Sequence, residues 1–408
     1  MYTKELLDFL TSEVEQLKKA GRFKNELSLT SAQGPRVKVG DREVLMFASN
    51  NYLGLAAHPQ IVAAAKSSLD HFGFGLSSVR FISGTTVLHQ ELEKAAADFL
   101  EIEDAILFSS CFAANEAFFA ALFTPLGGEE QKPSVIYTDE LNHASIIDGL
   151  KLVRGSHLVK RIYPHNNPVE LEKMLAEDAT TPYQFKVIAT DGVFSMEGEL
   201  AQLPRLAGLS KKFQALLFVD DSHGLGVCGK TGRGSAEELG VLGEIDVFSG
   251  TFSKALGGAG GGFLAGKKEL IDFLRQKARP YTFSNSLSTT IVQGSLAAIK
   301  LLKEQPDLLI KLKDNTLYFR EKIKAAGFKI IEGNHPIVPI MTYDAAITQK
   351  MSQELLKRGL YVVGLWFPVV PEGQARLRIQ ISAAHLRTDL DQAIEILTAV
   401  GQELKIIK

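Results

Sequence analysis

The stretch Ser249-Gly-Thr-Phe-Ser-Lys254-Ala-Leu-Gly-Gly-Ala-Gly-Gly-Gly262 places a lysine between a strand-like segment and a run of glycines. Upstream of it, Ala215-Leu-Leu-Phe-Val-Asp220-Asp-Ser-His223 has the apolar composition of a buried strand that ends in a carboxylate. Small residues beside the Lys254 amine let a flat molecule approach it, and the Asp220 carboxylate can pair with a ring nitrogen. Pyridoxal phosphate (PLP) enzymes require this pair, a Schiff-base lysine and an acidic partner for the pyridinium. The two stretches therefore predict a PLP site at the end of a buried strand.

Strand-like apolar runs alternate with amphipathic helical stretches from about Pro59 onward, and this alternation predicts the fold class. The strand candidates are apolar almost throughout, and they span residues 105–109, 135–138, 187–190, 215–220 and 246–249. Helical periodicity between them is clearest over residues 88–100, 168–177 and 205–214. Strands that are apolar on both faces and separated by helices are typical of a mainly parallel sheet with helices on both sides. We expect an α/β fold of this kind for the larger part of the chain.

The two ends of the chain have a different character. Apolar residues at helical spacing predict a helix within residues 1–25 that ends at Gly21, and the Gly- and Pro-marked segment 28–47 is expected to be an irregular arm outside the core. After about residue 290, helical stretches (290–303, 308–326 and 388–404) combine with strand-like pieces (328–332, 337–341, 360–363 and 376–381). The predicted units are an N-terminal helix and arm (1–55), a large α/β domain (56–289) and a smaller C-terminal α+β domain (290–408).

The composition excludes several classes of function. The 408 residues are 45% hydrophobic and 23% charged with a formal net charge of −2, so no basic excess indicates a nucleic-acid partner or an anionic membrane surface. No apolar run reaches the ~18 residues of a membrane span, and the charged N-terminus has no signal-peptide core, which favours a cytoplasmic protein. Cys111 and Cys228 are too few for a disulfide framework or a four-cysteine metal site. We expect two reduced thiols and no metal.

Polar side chains cluster where five predicted strands end, and ligands of open α/β sheets bind at the carboxyl ends of strands. The segments are 108–115, 139–145, 190–196, 220–223 and the loop that carries Lys254. The first could hold a phosphate on the N–H groups of a helix N-terminus, although a simple helix cap has the same pattern. A lone histidine such as His143 is more often structural than catalytic, and segment 190–196 alone is only a polar turn. Asp220 and His223 are too few for a zinc site.

Two nucleotide-binding patterns overlap in residues 224–231. Gly224-Leu-Gly-Val-Cys-Gly229 matches the dinucleotide fingerprint, and the same glycines with Lys230 and Thr231 match the P-loop pattern. Both motifs need a helix directly after the loop to hold the phosphates, but Gly232-Arg-Gly234 opposes helix initiation here. We interpret the match as a coincidence in a glycine-rich turn, and a P-loop nucleotide-binding protein is the remote alternative.

Four longer segments carry a resemblance to a known family. They are Asn50-Asn-Tyr-Leu-Gly-Leu55, Gly73-Phe-Gly-Leu-Ser-Ser-Val-Arg-Phe-Ile-Ser-Gly-Thr85, Arg279-Pro-Tyr-Thr-Phe-Ser-Asn-Ser286, and Phe367-Pro-Val-Val-Pro with Arg376-Leu-Arg-Ile-Gln-Ile-Ser-Ala-Ala-His385. With the Lys254 and Asp220 stretches, they make the chain resemble the α-oxoamine synthases, fold-type I PLP enzymes of the aspartate aminotransferase-like fold, from about Leu6 to the end. The similarity is greatest to the branch that acylates glycine with acetyl-CoA. Residues 123–134 look longer than the bacterial loop, and Ser253 stands where this branch often has glycine.

The resemblance implies roles for residues around the cofactor. Lys254 would carry PLP as a Schiff base and act as general base on glycine, and Asp220 would pair with the ring nitrogen. His143 would stack on the ring and later serve as an acid or hydrogen-bond donor. Ser195 and His223 would contact the phenolic oxygen. Thr251 and the N–H groups of Cys111 and Phe112 would bind the phosphate, and Ser284 and Asn285 would complete the phosphate site of the partner subunit. Arg378, assisted by Asn50, would bind the glycine carboxylate.

The same resemblance implies the reaction and its partners. Members of this branch condense glycine with acetyl-CoA to 2-amino-3-oxobutanoate and CoA, and they run in reverse during threonine breakdown. A homodimer with an active site shared between subunits is implied, and a functional coupling to threonine dehydrogenase is left open. The nearest alternatives are two other branches of the family, 8-amino-7-oxononanoate synthase and serine palmitoyltransferase. Neither nucleic acid nor a membrane is expected as a partner.

Overall fold

A seven-stranded sheet with helices on both faces organises the larger part of the molecule. The computed structural model describes residues 1–20, 22–124, 132–153 and 157–408. The strands are β1 (Arg36–Val39), β2 (Arg42–Met46), β3 (Asp104–Phe108), β4 (Ser134–Asp139), β5 (Leu158–Tyr163), β6 (Lys186–Asp191), β7 (Val193–Phe194), β8 (Glu199–Leu200), β9 (Leu216–Asp220), β10 (Val247–Thr251), β11 (Gly262–Gly266), β12 (Ile337–Tyr343), β13 (Leu360–Tyr361), β14 (Val363–Leu365) and β15 (Ala375–Gln380). The helices are α1 (Lys4–Lys19), α2 (Pro59–Phe72), α3 (Arg80–Ser83), α4 (Val87–Leu100), α5 (Cys111–Leu122), α6 (Ala144–Lys151), α7 (Pro168–Glu177), α8 (Leu203–Phe213), α9 (Ser235–Glu238), α10 (Lys268–Lys277), α11 (Arg279–Thr282), α12 (Thr289–Glu304), α13 (Asp307–Ala325), α14 (Ala345–Lys357) and α15 (Arg387–Glu403).

The large sheet is mainly parallel, as the sequence predicts. Its strand order is β3-β11-β10-β9-β6-β4-β5. Neighbouring strands run parallel except β11, which is antiparallel to both β10 and β3. The carboxyl ends of β3, β10, β9, β6 and β4 therefore lie along one edge. All five strand candidates are found within two residues of their predicted bounds.

Two strands of this sheet are missing from the sequence prediction. β11 begins inside the glycine run that follows Lys254, and a Cβ at Gly262 would lie 2.2 Å from the backbone nitrogen of Cys111. Glycine is thus needed where this strand passes the start of α5, and it hides the strand pattern. β5 is an edge strand whose apolar residues are interrupted by Lys160 and Arg161.

The core lies on both faces of the large sheet because successive strand residues face opposite sides. In β9, Leu217 and Val219 pack with residues of α4, α8 and α12. Phe218, between them, packs on the other face with residues of α5, α6 and α10. Burial on both faces explains why the central strands are apolar throughout and stop at the first polar residue, Asp220.

The C-terminal part of the chain builds a second core. β15 is the central strand of the antiparallel sheet β12-β15-β14, and side chains of α13, α14 and α15 pack with it. The prediction of a strand at 328–332 is wrong, since Ile330 makes only an isolated bridge to Ile340. Gly327 and Gly333 bracket this segment with φ values of +96° and +142°, which leaves too short an extended run for a ladder.

The prediction that segment 28–47 is an irregular arm outside the core is wrong for its second half. β1 and β2 pair as an antiparallel hairpin, and β2 also pairs in parallel with β13. Leu45 and Phe47 are buried in the C-terminal core. Gly40, one of the glycines of this segment, lies in the turn of this hairpin, with φ +59°.

The predicted N-terminal helix is α1, and none of its side chains is buried. Its predicted end, Gly21, lies outside the described residues, and so do residues 125–131 of the segment 123–134. Within the described part of the chain, no helix is long and apolar enough to cross a bilayer. The domain boundaries at 55/56 and 289/290 stay predictions.

Candidate active site

A cavity of about 190 Å³ opens at the carboxyl edge of the large sheet. All five polar strand-end segments contribute to its walls, because the parallel topology brings their ends together. The lining residues are Ser110, Cys111, Phe112, His143, Ser145, Asp191, Val193, Asp220, Ser222, His223, Thr251, Ser253 and Lys254. The structure thus brings seven of the twelve predicted site residues into the wall of one cavity. Of the other five, Asn50, Ser195 and Arg378 lie next to it.

 Arg378 of β15 is not part of the cavity wall, but its charge influences both Lys254 and His223.

Lys254 lies in the loop after β10, and its half-buried side chain lines the cavity. Burial lowers the pKa of this amine, while the nearby carboxylate of Asp220 and the Cys111 thiol favour its charged form. The net effect is a pKa below the usual value for lysine, which increases the fraction of free amine near neutral pH. An amine in this state can attack a carbonyl or accept a proton.

Asp220 ends β9 and is buried, with 5% of the residue exposed. Its oxygens accept hydrogen bonds from Asn115 Nδ2 at 2.6 Å and from the Ser222 N–H at 3.0 Å, and the Cys111 sulfur lies 3.9 Å from Oδ2. These donors fix the carboxylate at the cavity wall. Burial and the Asp220 charge raise the pKa of the neighbouring Asp191 carboxyl well above its usual range.

Two imidazoles face the cavity, and both have a pKa below the usual value. Burial, reinforced by the Lys254 charge, lowers the pKa of His223 well below that of a free histidine, and its Nδ1 lies 2.9 Å from the Tyr52 hydroxyl. Burial also lowers the pKa of His143, partly opposed by Asp220, and its Nδ1 lies 2.7 Å from Ser145 Oγ. The site therefore holds two imidazoles whose lowered pKa favours the neutral form, beside the Lys254 amine.

The start of α5 forms a second wall of the cavity. Ser110 caps this helix by accepting a hydrogen bond from the Ala113 N–H at 3.1 Å. The first N–H groups of a helix have no partner inside it, so those of Cys111 and Phe112 are available to an anion. Thr251 lies opposite, where its Oγ1 lies 2.6 Å from Ser253 Oγ. This wall has the donor set of a phosphate cradle.

Arg378 and Asn50 lie at the junction of β15 with the large sheet. Arg378 Nη1 donates to the Ser195 carbonyl oxygen at 3.1 Å, and Asn50 Oδ1 accepts from Gln380 Nε2. Residues 376, 378 and 380 alternate along β15, so these side chains share one face. Ser195 therefore contacts Arg378 through its backbone carbonyl oxygen.

Ser284 and Asn285 do not line this cavity. They follow α11 and line a separate cleft together with Arg80 and Tyr281. Within one chain they are thus apart from Lys254, and their predicted role at the phosphate of the partner subunit's site stays a prediction.

Sequence reasoning missed four residues that hold the site: Tyr52, Asn115, Ser145 and Gln380. All four lie inside stretches that the sequence analysis names, but nothing in a strand or helix pattern tells which hydroxyl or amide reaches which partner. Burial raises the pKa of Tyr52 to about 12, because its phenol is completely enclosed. Such a buried polar side chain needs partners, and that need is visible only after folding.

The loop that matches the nucleotide-binding patterns is closed by its own carboxylates. Glu237 accepts hydrogen bonds from the N–H groups of Thr231 and Arg233, and Glu238 accepts from that of Gly229. The helix that follows, α9, has four residues. The N–H groups that a P-loop would offer to phosphates are thus occupied by negative charges, which opposes the nucleotide-binding alternative.

Comparison with known proteins agrees with this geometry. The aminotransferase class I and II family model matches residues 42–397. The chain belongs to this family. The 2-amino-3-ketobutyrate coenzyme A ligase of Escherichia coli (strain K12) is 46% identical over 404 residues, 99% of each chain. The 8-amino-7-oxononanoate synthase of Thermoanaerobacter pseudethanolicus is 41% identical over 401 residues, 98% of each chain.

A solved structure of SPT with the PLP internal aldimine has a TM-score of 0.90 to this chain at 29% identity, and the match covers 100% of both chains. The serine palmitoyltransferase of Sphingomonas wittichii has a TM-score of 0.90 at 30% identity over 98% of both chains. The family match and these relatives confirm the resemblance to the α-oxoamine synthases. They also confirm the predicted fold class, the PLP-dependent transferase fold with a mainly parallel sheet.

Proposed function

We propose that the protein is a PLP-dependent glycine C-acetyltransferase, which condenses glycine with acetyl-CoA to 2-amino-3-oxobutanoate and CoA and also runs in the reverse direction. One observation carries the proposal: the half-buried Lys254 side chain shares a cavity with the fixed, buried Asp220 carboxylate. The relative named 2-amino-3-ketobutyrate coenzyme A ligase, at 46% identity over 99% of the chain, supports the choice of substrates.

The residues of the cavity fit PLP as the cofactor. The Lys254 amine would hold its aldehyde carbon, the Asp220 carboxylate would pair with the ring nitrogen, and the start of α5 with Thr251 would bind the phosphate. His223 and Ser195 would contact the phenolic oxygen. When bound, PLP supplies an electron sink for a carbanion at the α-carbon of the amino acid.

Arg378 and Asn50 are the proposed binding groups for the glycine carboxylate. Arg378 uses Nη1 for the Ser195 carbonyl, and its Nε and Nη2 have no hydrogen-bond partner within the described ranges. A guanidinium with free N–H groups can bind a carboxylate through two parallel hydrogen bonds. Asn50 Oδ1 is taken by Gln380, so its Nδ2 is the donor that would assist.

Lys254 is the proposed base. Its lowered pKa favours the free amine, which would accept the α-proton of glycine and then supply that proton to the departing CoA sulfur. His143, on the cavity wall, would donate a hydrogen bond to the thioester oxygen as negative charge develops there. CoA would leave as the thiol.

The proposal includes a homodimer with a shared active site. Large apolar side chains around the cleft of Ser284 and Asn285 are exposed, and exposed apolar clusters mark interaction surfaces. They are Phe74, Phe81, Ile82, Val87 and Phe283. A second copy on this surface would bring Ser284 and Asn285 to the phosphate of the partner subunit's site. A cytoplasmic location and a functional coupling to threonine dehydrogenase belong to the same proposal.

A second candidate is 8-amino-7-oxononanoate synthase, which the relative at 41% identity favours. A substrate screen separates the two: the purified protein is given glycine with acetyl-CoA, alanine with pimeloyl-CoA, or serine with palmitoyl-CoA, and thiol release is recorded. We expect a visible absorption band from bound PLP that changes on addition of glycine, and fastest thiol release with glycine and acetyl-CoA. A preference for pimeloyl-CoA and alanine would favour the second candidate, and a protein that stays colourless with added PLP would overturn both.

A further inference from the structure

A continuous run of hydrogen bonds connects the buried Asp220 carboxylate to His143, and all but the last of them are buried. Asn115 Nδ2 lies 2.6 Å from Asp220 Oδ2 and 2.8 Å from Ser145 Oγ. Ser145 Oγ in turn lies 2.7 Å from His143 Nδ1. Asn115 and Ser145 are 0% and 1% exposed, so the direction of each hydrogen bond is decided by the protein groups themselves.

The direction of these hydrogen bonds follows from the Asp220 carboxylate at one end of the run. An ionised carboxylate only accepts, so the Asn115 amide must present its NH₂ group to Asp220. The second proton of that NH₂ group points to Ser145 Oγ, which therefore accepts there. The Ser145 hydroxyl proton is then left for His143 Nδ1. Asn115 Oδ1 has no partner among the described residues, and the carboxylate excludes the flipped amide that would give it one.

A second observation also indicates that Nδ1 of His143 carries no proton. His143 is the N-cap residue of α6, and its Nδ1 accepts a hydrogen bond from the Ser145 backbone N–H at 3.3 Å. A backbone N–H cannot accept, so this contact also requires Nδ1 to carry no proton. The rings of Phe112 and His143 make an edge contact, with centroids 6.2 Å apart. The backbone N–H of His143 donates to Asp191 Oδ1 at 3.2 Å, which holds the backbone of this residue in place.

We infer that Asn115 and Ser145 are positioning residues that lock His143 in the neutral form protonated on Nε2. In this form the ring offers an N–H donor from Nε2 and has no spare proton to give away. His143 would then act on the substrate as a hydrogen-bond donor and not as a general acid, because proton loss from a neutral imidazole would leave an unstable anion. The contact with substrate rests on the proposed function; the tautomer does not.

The test is a two-bond ¹H–¹⁵N correlation of the PLP-loaded enzyme labelled at its histidine rings, with the His143 signals assigned by their loss in His143→Asn. We expect an unprotonated Nδ1 and a protonated Nε2 near neutral pH. Ser145→Ala should shift the ring towards a mixture of both tautomers and lower kcat about tenfold with little change in the glycine KM, as expected for one lost hydrogen bond. Ser145→Thr, which keeps the hydroxyl, should restore both readouts.

Ser210→Ala is the matched control, since Ser210 is also buried and donates its hydroxyl to a carbonyl, that of Ala215, away from the cavity. It should leave the His143 signals unchanged. A wild-type ring protonated on Nδ1, or on both nitrogens at neutral pH, would overturn the inference, and so would an unchanged tautomer in Ser145→Ala. Because the spectrum needs no substrate, an enzyme with the expected tautomer but no activity on glycine and acetyl-CoA would refute the proposed function alone.

Discussion

The two imidazoles of the cavity have a lowered pKa for the same reason, burial beside Lys254, but different parts of the molecule hold them. His143 depends on Ser145, two residues away, and on Asn115 in α5. His223 depends on Tyr52, 171 residues away in the chain, and its carbonyl accepts from His335 Nε2 at 3.0 Å.

His143 is held by contacts at the edge of one sheet, whereas His223 is held by contacts that form only when distant parts of the chain pack together. The surroundings of His143 come entirely from the carboxyl edge of the large sheet. The surroundings of His223 form only when residues 50–52 and β15 pack against that edge, where Gln380 Nε2 also lies 3.2 Å from the Tyr52 hydroxyl. Substitutions around His143 and substitutions around His223 should therefore change activity independently, with additive effects on the activation free energy of the reaction.

The largest effect should come from Lys254→Ala, which removes the group that both imidazoles face. Without the amine, no covalent link to PLP and no base are available, so kcat should fall by at least ~10⁴-fold. Borohydride reduction followed by mass measurement should attach PLP to the wild type and not to the variant. Lys300→Ala, at an exposed helix position, is the control. Activity close to that of the wild type in Lys254→Ala would refute the assignment of this lysine.

Asp220→Asn should have the next largest effect, because it keeps the shape of the side chain and removes its charge. A neutral partner stabilises a protonated ring nitrogen less, so kcat should fall on the order of 10²-fold, the effect of losing one major electrostatic group. The PLP content of the purified variant should stay near that of the wild type. If kcat barely changes, Asp220 is not the partner of the ring nitrogen.

Tyr52→Phe tests the His223 side alone. The variant loses the hydrogen bond to His223 Nδ1 but keeps the buried ring, so a cost of about 1 kcal/mol, roughly fivefold in kcat, is expected. The ring signals of His223 should change while those of His143 do not. Tyr318→Phe removes a hydroxyl that contacts Asp391 away from the cavity and serves as control. A change in the His143 tautomer would show that the two sides are coupled.

The sequence predicts the surroundings of His143 far better than the surroundings of His223. The strands around Asp220 are buried on both faces, which makes them readable as apolar runs, and parallel topology then brings their polar ends together. Residues 108–115, 139–145 and 220–223 could thus be assigned to one site before any coordinates were known. β11 escaped prediction because glycines where it passes α5 erase the strand pattern.

The contacts across the chain could not be read in this way. Tyr52 and Gln380 both lie in stretches that carry the family resemblance, but their meeting depends on which face of β15 turns towards residues 50–52. The hairpin β1–β2 was misread for a similar reason, since Leu45 and Phe47 are buried by a core built from residues after 300. Local patterns do not contain the partner of a long-range contact.

The smallest expected effect concerns a third histidine at the same edge, His165, whose pKa is shifted in the opposite direction. Burial lowers its pKa, but Asp139 at 3.0 Å and Glu199 at 3.5 Å outweigh burial and raise it from the usual 6.5 to about 10. A histidine with a raised pKa in the folded state adds stability that is complete below about pH 6.5 and is lost as pH rises towards 10.

His165→Gln removes this contribution and keeps a side chain that can donate one hydrogen bond. The free energy of unfolding of the variant should therefore be lower than that of the wild type near pH 6.5, and the difference should shrink between pH 6.5 and 10 as wild-type His165 loses its proton. Urea unfolding at several pH values measures this difference, and all other titrating groups are common to both proteins. A difference that stays constant over this range would show that His165 is not held in its charged form by Asp139 and Glu199. It would then be neutral, like His143 and His223, and burial would decide the charge of every histidine at this edge of the sheet.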